Sequence, residues 1–470
     1  MPVKVLILPG IAGMPRHAIA MSPGLALQLG AVTNLVHELG FGRSTAEAIL
    51  VTRTDLPPTA VRVSGGLRSQ LRLPTGHRLC LSRPRSGCLR LGPVVGLLTT
   101  KSLRPPWGVQ NDLFRELVRY GRALGEYVYV FTPADVELDS GTVHGWRPDR
   151  VGEWYRTPAP LPDVIYDRVP SRKAEAATEV IELKEKLKPM YGANYFNPSF
   201  LNKWDIHRLL QNDQTVARYL PEARLLNSPA DLEEMLKRHR LVFLKPVDGS
   251  VGRGIVRMRL LPDGRVSYRL PSQRSEETVC ASAAAAFARL AKPLRMRVYL
   301  VQQGLHLATS GGAPFDVRVL IQKGIGGRWY KTKVYGRVAP LGTYISNISQ
   351  GASPAAIGSL LQNAFPAEPE KRRQALTDLK EIADAVPQAL ETALAAKLGE
   401  LGIDVGIDTD GRAWLIEVNS KPMRTLDPTL GSLAGVRNAI IRPLIYARYL
   451  AGFEPASAAG RRSDHEQTRG

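Results

Sequence analysis

The chain has 470 residues, 44% of them hydrophobic and 23% charged, with a formal net charge of +20. That composition belongs to a globular protein long enough for two or three domains and excludes wholesale disorder. The three cysteines, Cys80, Cys88 and Cys280, lack metal-ligand spacing and fit a reducing cytoplasm better than a disulfide framework.

The N-terminus MPVKVLILPGIAG has too short an apolar run for a secretory signal. The uncharged stretch from His17 to His37 is interrupted by Ser22, Pro23, Gly24, Gln28, Thr33 and Asn34, which makes it a poor membrane span. Residues 1–111 carry thirteen Lys or Arg against three acids, Glu38, Glu47 and Asp55, so half the charge excess lies in less than a quarter of the chain. Such a region prefers polyanions, and an anionic surface, polymer or partner protein is compatible with it. A solubilising arginine-rich face fits as well, whereas nucleic acid has neither a recognisable motif nor an aromatic platform in its favour. Residues 1–90, rich in Gly, Pro, Arg and short runs such as VRVSGG and LRLP, read as small strands with turns.

From Leu91 the pattern changes to β-α-β: GPVVGLLTT, the helically spaced DLFRELVRYGRALG, then EYVYVFT. DVIYDRV reads as a further strand and RKAEAATEVIELKEKL as one helix closed by Pro189. KWDIHRLLQNDQTVARYLP reads as a helix ended by Pro221. In SPADLEEMLKRH, Ser228 is the expected N-cap, with Pro229 at the first helical position and Asp231 in the first turn. LVFLKPV is a buried strand, DGSVGRG a loop, and GIVRMRLLPDGRVSYRL a hairpin turned at Pro262-Asp263-Gly264. A helix near 276–291, strands RVYLVQQ, FDVRVLIQ and WYKTKVYGRV, a long helix near 368–399, a hairpin over 401–422 and a helix near 429–449 complete the core. No internal repeat is evident, and 453–470 reads as a disordered tail.

Three pieces carry chemistry. In FLKPVDGSVGRG, Lys245 ends an apolar strand, and Gly249, Gly252 and Gly254 punctuate a loop whose backbone N–H groups can approach phosphate. The lysine precedes the glycines, so this is neither a Walker A motif nor GxGxxG, and an ordinary mobile turn fits the segment alone. In FDVRVLIQ, alternation puts Asp316 and Arg318 on one face and Phe315, Val317 and Val319 on the other. An arginine so placed can stabilise charge in phosphoryl transfer, or form a surface pair of small consequence. In the last hairpin, strands GIDVGI and AWLIEVN flank Asp408-Thr409-Asp410-Gly411. Asp404 and Glu417 then face each other, with Asn419 on the same face as Glu417. Oxygen-only ligands suit Mg²⁺; an exposed hairpin with scattered acids fits this segment as well.

The order of these pieces resembles the ATP-grasp superfamily. LGPVVGLLTT, PDVIYDRVPSR, FNPSFLNKWDIHRLL, LKPVDGSVGRGI and LIEVNSKPMR, spread over about 90–450, resemble the endospore coat-associated YheC/YheD family. The resemblance implies an α+β ATP-grasp fold, two α+β lobes enclosing ATP. It divides the chain into a basic extension (1–90), a small α/β pre-ATP-grasp domain (91–195), the ATP-grasp domain (196–452) and the tail (453–470). It also implies that Lys203 and Lys245 contact phosphates, while the loop containing Gly249, Ser250, Gly252 and Gly254 closes over them. Gln302 and Gln303 lie in the connector that meets adenine. Asp404, Glu417 and Asn419 hold Mg²⁺, Arg318 faces the transferred group, and Arg337 and Asn347 resemble phosphate- or substrate-side groups. The implied activity is ATP-dependent joining of a carboxylate to an amine, or to a thiol, in a sporulation or spore-coat setting. A non-catalytic nucleotide-binding assembly protein is the alternative. Two departures concern the acceptor half: Asn347-Ile348-Ser349-Gln350-Gly351-Ala352 replaces an Asn followed by a glycine pair, and Gly402 stands where some ligases have an arginine.

Overall fold

The computed structural model describes residues 2–84, 87–102, 106–249, 254–270, 277–341, 351–394, 397–424 and 433–453. The first 92 residues close into a seven-stranded barrel, Val3–Pro9, Ala18–Met21, Val36–Phe41, Ser44–Thr52, Ala60–Val63, Arg78–Ser82 and Leu89–Gly92, with helices Pro23–Gln28 and Gly65–Leu71 against it. Alternation explains the closure: Val5, Ile7, Ile19, Met21, Leu39, Phe41, Val61, Val63, Leu79 and Leu81 all turn inward and are fully buried, and closing the sheet removes its edges.

Contrary to the expectation from sequence, the barrel contains an internal repeat. AIAMSPGLALQL (18–29) and AVRVSGGLRSQL (60–71) share Ala, Ser, Gly, Leu, Gln and Leu at corresponding positions. Each forms a strand, a serine and a short helix. The pairing repeats too: Leu6 lies opposite Ala60 and Arg78, as Ile49 lies opposite Ala18 and Val36. Four-residue strands give too weak a periodicity for the repeat to be evident before the pairing is known. The serines have diverged: Ser22 Oγ accepts from Leu25 N at 3.3 Å, capping its helix, while Ser64 Oγ accepts from Ala18 N at 3.0 Å and donates to Arg16 O at 2.6 Å.

A second, mixed sheet follows, ordered Val136–Glu137, Thr142–Pro148, Tyr127–Phe131, Val94–Leu98, Val164–Asp167, Tyr195–Phe196, with Trp154–Pro160 on Thr142–Pro148; its last four strands in this order, from Tyr127–Phe131, are parallel. Part of the basic excess of the barrel is used at this junction. Lys4 donates to Ala123 O at 2.7 Å, Arg43 lies over the Tyr191 ring at 4.9 Å, and Arg90 pairs with Asp163. The expected single helix after Ser171 is two, Arg172–Glu175 and Thr178–Tyr191, and the second runs two residues past Pro189.

The remaining chain builds two antiparallel sheets. The smaller is ordered Ala223–Leu225, Tyr299–Gln303, Leu241–Pro246, Val256–Leu260, Val266–Arg269, Thr278–Cys280, backed by helices Pro229–His239 and Ala283–Arg289. Ser228 and Asp231 form the capping box that starts the first of these helices. The larger is ordered Ser353–Ala355, Trp329–Val338, Ala313–Lys323, Glu400–Ile407, Ala413–Asn419, and packs on helix Pro369–Ala393 through Leu379, Ile382, Val386 and Leu390. Helix Lys203–Gln211 stops ten residues before Pro221, followed by the short turn Ala217–Tyr219. The span expected as one helix near 276–291 is a strand, Thr278–Cys280, then helices Ala283–Arg289 and Ala291–Met296. The C-terminal helix Leu433–Leu450 buries Ile440, Leu444 and Tyr446 with Phe196, Val95 and Phe114 of the α/β layer. Phe453, the first residue of the expected tail, is buried, and 454–470 lie outside the described residues. No described helix is long and apolar enough to cross a membrane.

Candidate functional site

The two antiparallel sheets face each other across a cleft of about 410 Å³, a size in the range of small-molecule sites. Its lining combines the apolar Leu241, Phe243, Ile255, Leu305, Leu307 and Ile416 with the charged Lys245, Arg257, Asp316, Arg337, Asp404 and Glu417. The connector out of Tyr299–Gln303 crosses between the lobes. Gly304 N donates to Leu241 O and Ala308 N to Ile407 O, both at 2.8 Å, so each end is tied to one sheet. A Cβ at Gly304 would lie 2.3 Å from Leu241 Cγ, which leaves no side chain room there.

Sheet register assembles the charged side chains. Asp404 lies opposite both Arg318 and Glu417, and Asp316 opposite Arg337. Asp316 and Arg318 therefore each have a cross-strand partner of opposite charge. Arg318 clamps Asp404 through two nitrogens, Nη2 to Oδ2 being 3.0 Å. Arg337 grips Asp316 with two 2.6 Å bonds and reaches Asp404 at 3.2 Å. Burial alone would raise the Asp404 carboxyl, but Arg318 and Arg337 outweigh it and hold it below the ordinary value.

Lys203 begins its helix behind the N-cap Asn202; its Nζ donates to Glu417 Oε1 at 2.9 Å and to Gly249 O at 2.5 Å. Lys245 Nζ donates to Gln302 Oε1. Desolvation is the largest influence on Lys245 and brings its pKa down to about 8, with Lys203 adding to the fall and Glu417 and Asp404 opposing it. Gln303 points elsewhere, accepting from Glu222 N at 3.1 Å, although it still lines the cleft. Gly254 has φ +78, a left-handed conformation suited to glycine. Ser250, Gly252 and Asn347 lie outside the described residues.

Thus Lys203, Lys245, Gln302, Arg318, Arg337, Asp404 and Glu417 come together. Asn419, opposite Gly402, sits two positions along the strand from Glu417. Among the described residues no group of three or more His, Cys, Asp or Glu side chains surrounds one point. The oxygen donors of Asp404 and Glu417 still fit a hard cation, with their negative charge countered here by Arg318, Arg337 and Lys203.

Sequence reasoning missed the buried network beneath the hairpin. Lys421, two residues beyond Asn419, bonds Asp167 at 2.6 Å and Glu175 at 2.9 Å; Lys184 bonds the same two acids at 2.7 and 2.6 Å. Burial would raise Glu175, but Lys421 and Lys184 bring it down to about 2. Beside it Glu400, fully buried, takes Arg168 at 2.6 Å and Arg424 at 3.2 Å. YDRVPSR and NSKPMR thus interlock, joining the α/β layer to the site. The available signal was charge close behind strands: Asp167 and Arg168 at the end of Val164–Asp167, and Lys421 and Arg424 two and five residues beyond Ala413–Asn419.

The family described as YheC/D like ATP-grasp matches residues 192–450. Endospore coat-associated protein YheD of Bacillus subtilis (strain 168) is 28% identical over 417 residues, covering 87% of this chain and 90% of that protein. Endospore coat-associated protein YheC of the same strain is 25% identical over 318 residues, covering 67% and 86%. Among solved structures, D-alanine–D-alanine ligase from Bacillus anthracis complexed with ATP gives a TM-score of 0.44 at 10% identity, covering 76% of this chain and 99% of that one.

Proposed function

The chain belongs to the YheC/D like ATP-grasp family, and from that premise we propose that it binds Mg-ATP in the cleft and acts as an ATP-dependent carboxylate–amine ligase. The carrying observation is the convergence of Lys203, Lys245, Arg318 and Arg337 with Asp404 and Glu417 at a cleft that is also lined by apolar side chains. That combination suits a nucleotide: a base against Leu241, Phe243 and Leu307, with phosphates beside Lys203 and Lys245.

In this reading a substrate carboxylate oxygen attacks the γ-phosphorus, and the bond to the β-γ bridging oxygen breaks, giving an acyl phosphate and ADP. An amine then attacks the acyl carbon, phosphate leaves, and the nitrogen loses its proton to solvent. Lys203 and Lys245 hold the phosphates, and Asn419 lies beside Glu417 as a further oxygen donor. Arg318 turns from Asp404 toward the transferred group, with Arg337 holding the sheet corner through Asp316. Mg²⁺ held by Asp404, Glu417 and Asn419 supplies neutralisation of phosphate charge. Alignment of this kind corresponds to effective molarities of about 10⁵ M or more. We assign the domains as the barrel, the α/β layer to about residue 195, and the ATP-grasp lobes beyond it. The names of the two relatives support a spore-coat setting.

ATP turnover with pooled carboxylates and amines, read by product mass, tests this. Glu417→Gln is expected to cost roughly 10²-fold or more in turnover. Normal turnover in a folded variant removes the hairpin from the mechanism, and Mg-ATP binding without turnover favours a nucleotide-binding coat-assembly protein.

A further inference from the structure

Lys203 and His207 stand one turn apart on the same face of helix Lys203–Gln211. Both line a second, smaller pocket of about 40 Å³ that adjoins the cleft, Lys245, Gln302, Ile416 and Glu417 being common to the two. Its polar lining is Lys203, His207, Lys245, Gln302 and Glu417, and the rest is apolar, including Ile206, Leu210 and Leu300. A water takes about 10–15 Å³ of such volume, so about two or three fit.

His207 is 6% exposed. Its ring stacks on Trp204 at 5.9 Å, and its Nε2 is buried without a hydrogen-bond partner among the described residues. A polar atom so placed is costly unless something in the pocket bonds to it. Burial, with Lys245 adding to it, brings the His207 pKa down to about 4, so near neutral pH one ring nitrogen donates and the other accepts. The lysines can only donate. Lys203 gives N–H bonds to Glu417 Oε1 and Gly249 O, whereas Lys245 gives one to Gln302 Oε1 and has further N–H groups to give. A water that accepts from Lys245 can donate onward to Nε2, which makes Nε2 the accepting nitrogen.

Resting on the reading of the cleft as a Mg-ATP site, we propose that this pocket holds water bridging Lys245 Nζ to His207 Nε2, and that His207 is a positioning residue for Lys245. The water takes one ammonium N–H from behind and Gln302 takes another, so the remaining one points into the cleft toward phosphate. A bridging water is nearly as good a partner as a direct one, and the stacked Trp204 fixes the plane of the imidazole that receives it. His207 stays neutral throughout and does not touch the nucleotide.

The test is calorimetric titration of the full chain with Mg-ATP, with folding of each variant checked by circular dichroism. His207→Leu, which keeps the bulk and removes the acceptor, is expected to bind about tenfold more weakly, and His207→Gln, which keeps an acceptor, to recover most of that loss. In a Lys245→Met background His207→Leu should change the affinity by no more than about twofold, because the group it positions is gone. A merely structural role would weaken binding equally in both backgrounds. Undiminished affinity in folded His207→Leu, or an equal loss without Lys245, would overturn the proposal. A crystal structure of the unsubstituted protein decides the matter even if His207→Leu does not fold: water is expected within about 3.2 Å of both His207 Nε2 and Lys245 Nζ, and a pocket without it overturns the proposal. Failure of the unsubstituted protein to bind Mg-ATP overturns the nucleotide reading and the role of His207 with it, whereas binding that ignores His207 overturns the role alone.

Discussion

Lys245 offers a direct test of how the cleft receives phosphate. Its ammonium is buried, and its pKa is brought down from 10.5 to about 8 in the nucleotide-free protein. Phosphate oxygens beside it would favour the charged form and raise that value again. ATP binding should therefore take up protons: roughly 0.1 at pH 7, about 0.5 at pH 8 and about 0.9 at pH 9. Above pH 8 the affinity should fall about tenfold per pH unit until the pKa of the bound state is reached. Titrating Mg-ATP by calorimetry in buffers of different ionisation enthalpy separates this uptake from the heat of binding. Lys245→Met should bind weakly at every pH and take up no proton above pH 8. The stability of the nucleotide-free protein carries the opposite sign. Its folded pKa is depressed, so between about pH 8 and 10.5 the unfolded chain holds more protons, and stability rises with pH by up to about 3 kcal/mol. No uptake at pH 9 in the unsubstituted protein, or undiminished uptake in Lys245→Met, would refute the placement of phosphate at this lysine.

Three further outcomes follow from the geometry. Gly402→Ala forces a methyl against Pro422 and Arg318 Nη1; turnover should fall by about tenfold or more with ATP affinity little changed, because the displaced arginine faces the transferred group. Lys421→Met removes one of two lysines from Asp167 and Glu175 and should cost about 3–5 kcal/mol, measured by urea denaturation. In the barrel, Ser64→Ala removes a hydroxyl that makes one buried and one half-buried bond and should cost about 1–3 kcal/mol in the same assay, against about 1 kcal/mol for the helix cap at Ser22.

How far the site could be read in advance depended on sequence separation. Asp404 and Glu417 were legible as neighbours because a short turn joins their strands, but their direct pairing depends on a register shift between Asp404 and Val405 that counting from the turn does not give. Asp316 and Arg318 were legible as one face, but their partners were not: Arg337 is 21 residues away and Asp404 is 86 residues from Arg318. Lys203 and Glu417 are 214 apart, and Lys421 and Asp167 are 254 apart. Helix limits failed where local propensity met tertiary demands, as in the break between Arg172–Glu175 and Thr178–Tyr191 and the early end of Lys203–Gln211.

By itself, then, the sequence determined the ATP-grasp family through the resemblance of its motifs, and the order of most strands and the chemical character of the cleft residues through residue type and short-range periodicity. Only the tertiary structure decided which cation meets which carboxylate, that the barrel is two related halves, and that YDRVPSR locks under NSKPMR. Those pairings are set by sheet order and by the desolvation of charges brought together from distant parts of the chain, and no local pattern encodes them.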